Sequence, residues 1–373
     1  MIPLAKPDIT EKERESVLDI LKTTRLSLGP KLGEFEKKIA EYVGVKYAVA
    51  VNSGTSALHL IIKSLGISDG DEVITTPFSF ISSSNCILFE NAKPVFVDID
   101  PRSFNIDVNK IEEKITSRTK AILAVDVFGR AADWEMLECI AKKHNLKLIE
   151  DSADSLGTKY GGKKCGSFGD AGIFAFYPNK QITTGEGGMV TTDNEDIYRL
   201  CKSMRNQGRG DDGDWLQHKR LGHNYRISEI NCALGIAQLE RIDELIQKRN
   251  NVFRLYSNCL ADINGLTLPD YEINQEISWW VYVVLLGDQF SRGQRDKIIK
   301  ELALRGIQCS NYFTPIHLQP FYKKRFGYSN GSYPICEHIS ERTLALPFFN
   351  QLDEKQVRFI AENLKIVMGE VSR

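Results

Sequence analysis

The chain has 373 residues, 42% of them hydrophobic, and a formal net charge of −1, so one large and one smaller domain is expected. The charge balance offers no basic surface for nucleic acid and no acidic tail. With no apolar signal core in MIPLAKPDIT, no run of about 18 apolar residues and eight cysteines scattered without a CxxC pair, the expectation is a soluble, cytoplasmic protein with reduced thiols, without disulfides or structural zinc.

Thr10-Glu11-Lys12-Glu13 is a capping box that opens a helix to about Lys22, with Val17, Leu18 and Leu21 on one face. Phe35, Ile39, Tyr42 and Val43 mark a second helix, closed by Gly44. Short apolar runs then read as strands at Tyr47–Val51, Glu72–Thr75, Pro94–Ile99, Lys120–Val125 and Leu146–Glu150. Helical patterns fall between them near Thr55–Leu65, Ser79–Glu90, Asp107–Ile115 and Asp133–His144. This alternation predicts an α/β fold with a mostly parallel sheet covered on both faces. Gly172–Tyr177, stopped by Pro178, and Met189–Thr192 are two further strands. The polar stretch Gly208–Gly222 reads as an exposed loop, and a long helical pattern runs from about Ser228 to Cys259. Beyond it, strand Trp280–Leu286 and helices Arg292–Arg305 and Glu354–Val367 form a separate α+β pattern. The domains are therefore set at residues 1–245 and 246–373.

Ligands of open parallel sheets bind outside the carboxyl ends of the strands, and four stretches there are chemically loaded. Asn52-Ser53-Gly54-Thr55-Ser56-Ala57 joins a strand to a helix and offers free backbone N–H groups to an anion; it also reads as a plain capped turn. Pro77-Phe78-Ser79-Phe80 offers an aromatic plane, or core packing. Glu150-Asp151-Ser152-Ala153-Asp154 ends a buried strand with adjacent acids, which suits either magnesium or a protonated ligand nitrogen. Lys180 sits at the mouth of the turn Gln181–Gly188 between two strands, where burial favours a nucleophilic amine, though a lysine in water at a loop is the other reading. Together these supply an anion cradle, a plate, a carboxylate and an amine, the four contacts that pyridoxal phosphate requires. A P-loop and a GxGxxG after the first strand are both missing.

The sequence resembles the DegT/DnrJ/EryC1/StrS family of sugar aminotransferases, through LSLGPKLGEFE, SGTSALH, DEVITTPFSF, AKPVFVDID, IEDSADSLG, FYPNKQITTGEGG, LGHNYRISEINCALGIAQLERID and PIHLQPFY with LALP. The resemblance implies an aspartate-aminotransferase type fold (fold type I) with a large domain and a smaller α+β C-terminal domain. It implies that Lys180 carries pyridoxal phosphate covalently, Asp151 pairs with its ring nitrogen, Phe80 stacks on the ring, and Gly54, Thr55 and Ser56 hold the phosphate. Asn224 would reach the cofactor phosphate of the partner subunit in a homodimer. Two positions depart from the family's pattern: Ala175 stands where a phosphate-binding serine is common, leaving Asn179 as a substitute contact, and Asp154 stands where glutamine is common, facing the ring's 3′ oxygen.

The activity implied is amino transfer from L-glutamate to a nucleotide-linked keto-deoxy sugar, with Lys180 as general base and acid. The turn form TTGEGG favours a 4-keto-6-deoxyhexose, in amino-sugar, surface-polysaccharide or glycoside biosynthesis. Tyr312 and His317, near Pro315, are candidates for sugar contacts across the dimer interface, or for small-domain packing. Lys219 and Arg220 are candidates for the diphosphate, or a solvated charge pair. The alternatives are a 3-keto sugar, a cyclitol aminotransferase, and a non-enzymatic regulator on the same scaffold, which would need neither Lys180 nor Asp151.

Overall fold

The computed structural model describes residues 1–210, 217–271 and 274–372. Its strands are β1 (Tyr47–Val51), β2 (Glu72–Thr75), β3 (Lys93–Phe96), β4 (Thr119–Val125), β5 (Lys147–Asp151), β6 (Lys159–Tyr160), β7 (Lys163–Lys164), β8 (Ala171–Ala175), β9 (Gly188–Thr192), β10 (Leu266–Thr267), β11 (Gln275–Glu276), β12 (Tyr282–Leu286) and β13 (Thr343–Leu346). Its helices are α1 (Glu11–Leu21), α2 (Pro30–Val43), α3 (Gly54–Ser64), α4 (Ser82–Phe89), α5 (Trp134–His144), α6 (Glu195–Arg205), α7 (Glu229–Leu239), α8 (Ile242–Leu260), α9 (Arg292–Leu304), α10 (Pro320–Phe326), α11 (Pro334–Ser340) and α12 (Glu354–Val371).

Seven strands make the central sheet in the order β1-β9-β8-β5-β4-β2-β3. Only β9 runs against the rest, pairing antiparallel with β1 and with β8. Side chains alternate across the sheet, and both faces are covered. Val49, Val51, Val73, Leu123, Ile149, Ile173 and Val190 pack on one face with α3 residues such as Leu58 and Ile61. On the other face Ala48, Ala50, Phe174 and Met189 meet Phe35 and Ile39 of α2 and Ile236 of α7, while Ile74, Ile122 and Leu148 meet Trp134 and Leu137 of α5. That double burial explains why the strands read as unbroken apolar runs. A second core joins α8 from Val252 onward to β12, β13, α9 and α12. A three-stranded antiparallel sheet, β10-β12-β13, lies within it.

Three local expectations are corrected. Residues 107–115 form two 3-10 turns, Val108–Lys110 and Glu112–Lys114, in place of a helix. The segment is short, and its apolar positions Val108, Ile111 and Ile115 are β-branched, which disfavours an α-helix that nothing extends. The pattern from Ser228 to Cys259 breaks into α7 and α8 at Arg241, whose guanidinium turns inward to Glu13 Oε1 (2.7 Å) and Asp8 Oδ1 (3.1 Å). In α1 the buried residues are Glu13 and Ile20, whereas Leu18 and Leu21 are 52% and 54% exposed. The inner side of α1 is polar because Glu13 caps Thr10 and meets Arg241. Of the loop Gly208–Gly222, residues 211–216 lie outside the described residues, and 217–221 are exposed.

Candidate active site

A cavity of about 520 Å³ opens at the carboxyl ends of β1, β2, β4, β5 and β8. Asp151 ends β5, Ser53, Gly54 and Thr55 join β1 to α3, Phe80 precedes α4, and Lys180 follows β8; all line it. Trp280, Tyr312 and Phe313 close the opposite wall.

Each wall has a local cause. Ser53 caps α3, its hydroxyl accepting from Ser56 N at 3.1 Å, so the first N–H groups of the helix face the cavity rim. Gly54 allows α3 to start directly on β8, since a Cβ there would stand 2.8 Å from the Cβ of Ala175. Ala175 thus lies beneath the helix start and lines the cavity with a methyl group. Phe80 presents its ring, 64% exposed. Asn179 also lines the cavity, and its Oδ1 is buried with no hydrogen-bond partner.

Asp151 is buried at the cavity floor, where its carboxylate accepts from Ser83 Oγ at 2.7 Å and from Ala153 N at 3.2 Å. Ser79 Oγ lies 2.7 Å from Ser83 Oγ and continues the chain of hydroxyls. Burial pushes the Asp151 carboxyl up to about 6 against the pull of the Ser83 hydrogen bond. A cation beside it would restore the charged form. Glu150 points the other way, accepting from Gly166 N (2.6 Å) and Phe168 N (2.8 Å). The two adjacent acids therefore serve opposite faces of the sheet and share no ion.

Lys180 donates from Nζ to Asp154 Oδ1 while the Trp280 ring centroid lies 3.8 Å from the same nitrogen. Burial raises the Asp154 carboxyl, and the Lys180 charge opposes that rise. The Lys180 backbone is clamped, its N–H donating to Tyr177 O (2.9 Å) and its carbonyl accepting from Arg249 Nη2 (2.8 Å).

Not every expected residue arrives. Ser56 is spent within the turn: its Oγ donates to Asn52 Oδ1 at 2.7 Å and it does not line the cavity, whereas Ser53 does. Tyr312 lines the cavity, stacked on Trp280 at 5.4 Å. His317 is 0% exposed, 2.9 Å from Glu337 Oε1 and packed edge-on against Tyr333, so it is a packing residue and the sugar-contact expectation is corrected. Lys219 and Arg220 are exposed and away from the cavity; Arg220 Nη1 donates to Ser203 Oγ. Asn224 is exposed, bridged through its backbone to Asn206, and outside its own chain's cavity. Ser83 and Trp280 were missed. The run Ser82-Ser83-Ser84 opening an otherwise apolar helix was the available signal for the first, and the pair Trp279-Trp280 for the second. Only the fold tells the tryptophans apart: Trp279 stacks on Phe253 at 4.1 Å, and Trp280 faces the cavity.

Residues 7–365 match the DegT/DnrJ/EryC1/StrS aminotransferase family. The chain belongs to that family. It is 43% identical over 323 residues to the GDP-perosamine synthase of Caulobacter vibrioides, covering 86% of each chain. It is 33% identical to UDP-4-amino-4,6-dideoxy-N-acetyl-beta-L-altrosamine transaminase of Campylobacter jejuni, covering 100% of this chain and 99% of the other. The solved structure of Helicobacter pylori PseC, an aminotransferase involved in the biosynthesis of pseudoaminic acid, superposes with a TM-score of 0.94 at 31% identity, covering 99% of both chains. This DegT-family chain is thus an aminotransferase of fold type I that uses pyridoxal phosphate. The cavity suits that cofactor on its own terms. The open backbone at Gly54, the amine of Lys180, the exposed Phe80 ring and the buried Asp151 carboxyl each offer one complement to it. No helix is long and apolar enough to cross a membrane among the described residues.

Proposed function

We propose that the enzyme moves an amino group from L-glutamate to a nucleotide-linked keto-deoxy sugar, a 4-keto-6-deoxyhexose, in the making of amino sugars for polysaccharides or glycosides. The observation that carries the reading is the meeting of Lys180 and Asp151 in one cavity beside the start of α3. Relatives named for GDP- and UDP-linked amino sugars support the substrate class, and the 4-amino group in the Campylobacter name supports position 4.

When bound, pyridoxal phosphate supplies an electron sink for the substrate's α-carbon. Lys180 Nζ is the covalent anchor and, once released, carries the proton from the donor's α-carbon. Asp151 keeps the ring nitrogen protonated, with Ser83 holding the carboxylate in line. Ser53, Gly54 and Thr55 take the phosphate at the positive end of α3, with Asn179 as a side-chain contact. Phe80 covers one ring face. Tyr312 borders the sugar, and Lys219 and Arg220 reach a diphosphate only if it extends to the exposed loop. Asn224 completes the phosphate site of the partner subunit in a homodimer, and the division into domains at residue 245 separates the cofactor-holding part from the smaller C-terminal part.

Purified protein with glutamate and a panel of nucleotide-linked keto sugars tests this. Formation of 2-oxoglutarate and of an amine at C-4, read by NMR, is expected. An amine at C-3, turnover of a cyclitol ketone alone, or no turnover with any keto sugar overturns it.

A further inference from the structure

We infer that Asp154 is the counter-ion of Lys180, a positioning residue that governs when Nζ holds its proton. The inference rests on Lys180 being the cofactor's anchor.

Both side chains of the pair are about nine-tenths buried. Surface ion pairs are loose and nearly free of energetic consequence, whereas a buried pair is costly to break on one side only. The pair is also held from behind. Asp154 lies on the turn that leaves β5, and Gln181 Nε2 donates to its carbonyl at 2.6 Å, which ties that turn to the residue after Lys180. The Trp280 ring covers Nζ at 3.8 Å, so the ammonium stands between a carboxylate and a ring face.

Other charged or titratable groups stand near without replacing Asp154. Asp151 is engaged by Ser83 and Ala153. Asp126, beyond Asp154, accepts from Ser152, Ser155 and Trp134. Glu186 and Tyr177 lie at the exposed rim of the cavity, and Tyr312 stacks on Trp280. Arg249, from α8, spends its guanidinium on the carbonyls of Trp280 and Lys180. Among the described residues Asp154 is the acid hydrogen-bonded to Nζ.

This arrangement acts in two directions. While Asp154 is ionised it stabilises the protonated nitrogen of Lys180, free or linked to the cofactor. When Nζ must be neutral to attack, its N–H bond breaks and an O–H bond forms on Asp154 Oδ1, leaving amine and carboxylic acid where ammonium and carboxylate stood. Burial of Asp154 favours that uncharged acid.

The test compares holoenzymes of the wild type, Asp154→Asn, Asp154→Gln and Asp154→Glu. Borohydride reduction with peptide mapping first locates the cofactor, and visible absorbance is then followed against pH. With the cofactor on Lys180, the transition of the Asn and Gln variants should move down by about 1–3 pH units, the shift of a lost opposite charge at contact distance. The Glu variant should return towards the wild type. A fold weakened by either amide would appear as a lower melting temperature, and the other amide or the Glu variant then supplies the titration. Cofactor fixed on a different lysine overturns the anchor and this inference together. Cofactor on Lys180 with coincident titrations in all four proteins overturns the counter-ion alone.

Discussion

Asp151 holds its proton in the folded protein longer than an unfolded chain would, because burial lifts the carboxyl from 3.8 to about 6. Stability from that proton is complete below about pH 4 and is lost as pH rises through about 6. Two pH units amount to about 3 kcal/mol. A protonated ring nitrogen beside the carboxylate reverses the penalty, so the cofactor's charge and the buried acid stabilise each other. Cofactor-free Asp151→Asn should therefore show a flatter decline in melting temperature between pH 4 and 7 than the cofactor-free wild type, and the same variant loaded with cofactor should lose most of the half-reaction with glutamate. Melting that tracks the wild type across this range, or an unchanged half-reaction by stopped-flow, counts against the assignment. Ser83→Ala removes a hydrogen bond to a charged group, about 1.5–3 kcal/mol, and Asp151 should then keep its proton to a still higher pH. The acid limb of the half-reaction profile should move up, and an unmoved limb would leave Ser83 as a packing residue only.

The start of α3 is built by a close approach that single side chains control. Gly54→Ala sets a methyl group against the Cβ of Ala175 and should lift the helix terminus off β8. Cofactor affinity, measured by fluorescence titration, is expected to fall at least about tenfold, or ~1.4 kcal/mol. Adding Ala175→Gly should restore part of it, a coupling that additive effects would contradict. Legibility in the sequence followed the same local logic. β1, β2, β4 and β5 were readable because both faces are buried, and α1, α2 and α5 because their ends carry a capping box, Gly44 and the Asp133 cap. The 107–115 segment and the break at Arg241 were not, because apolar spacing cannot register a 3-10 turn or an arginine drawn inward by Asp8 and Glu13. In the site, Lys180, Asp151, Gly54 and Phe80 sit in motif stretches beside strand ends. Ser83, Trp280 and the burial of His317 depend on partners far away in the chain, such as Asp151, Lys180 and Glu337.

At the scale of the whole molecule, several leucines are left exposed among the described residues. Leu18 and Leu21 of α1 are exposed, as are Leu26, Leu28 and Leu221. The 26–28 segment is pinned beside α7 by the Ser27–Ser228 bridge, four residues on from Asn224, and by Glu229 N donating to Leu26 O at 3.0 Å. A two-fold partner on this face would cover the leucines and bring each Asn224 towards the other chain's cavity, completing both sites at once. Mixed dimers of Lys180→Ala and Asn224→Ala chains test that geometry directly. If Asn224 acts on the partner, one site gathers both lesions and the other is wholly intact, so the mixed dimer should regain about half the wild-type activity per dimer, as two sites with one intact require. If Asn224 acts within its own chain, each site carries one lesion and none is intact. Mixed dimers isolated with two different tags and no more active than the Asn224→Ala parent would sink the shared site. Leu18→Asp with Leu21→Asp gives the companion measurement, because a cofactor held across the seam binds only the assembled form. Sedimentation should show dimers separating, and cofactor should be released as they do; monomers that keep their cofactor would place the whole site within one chain.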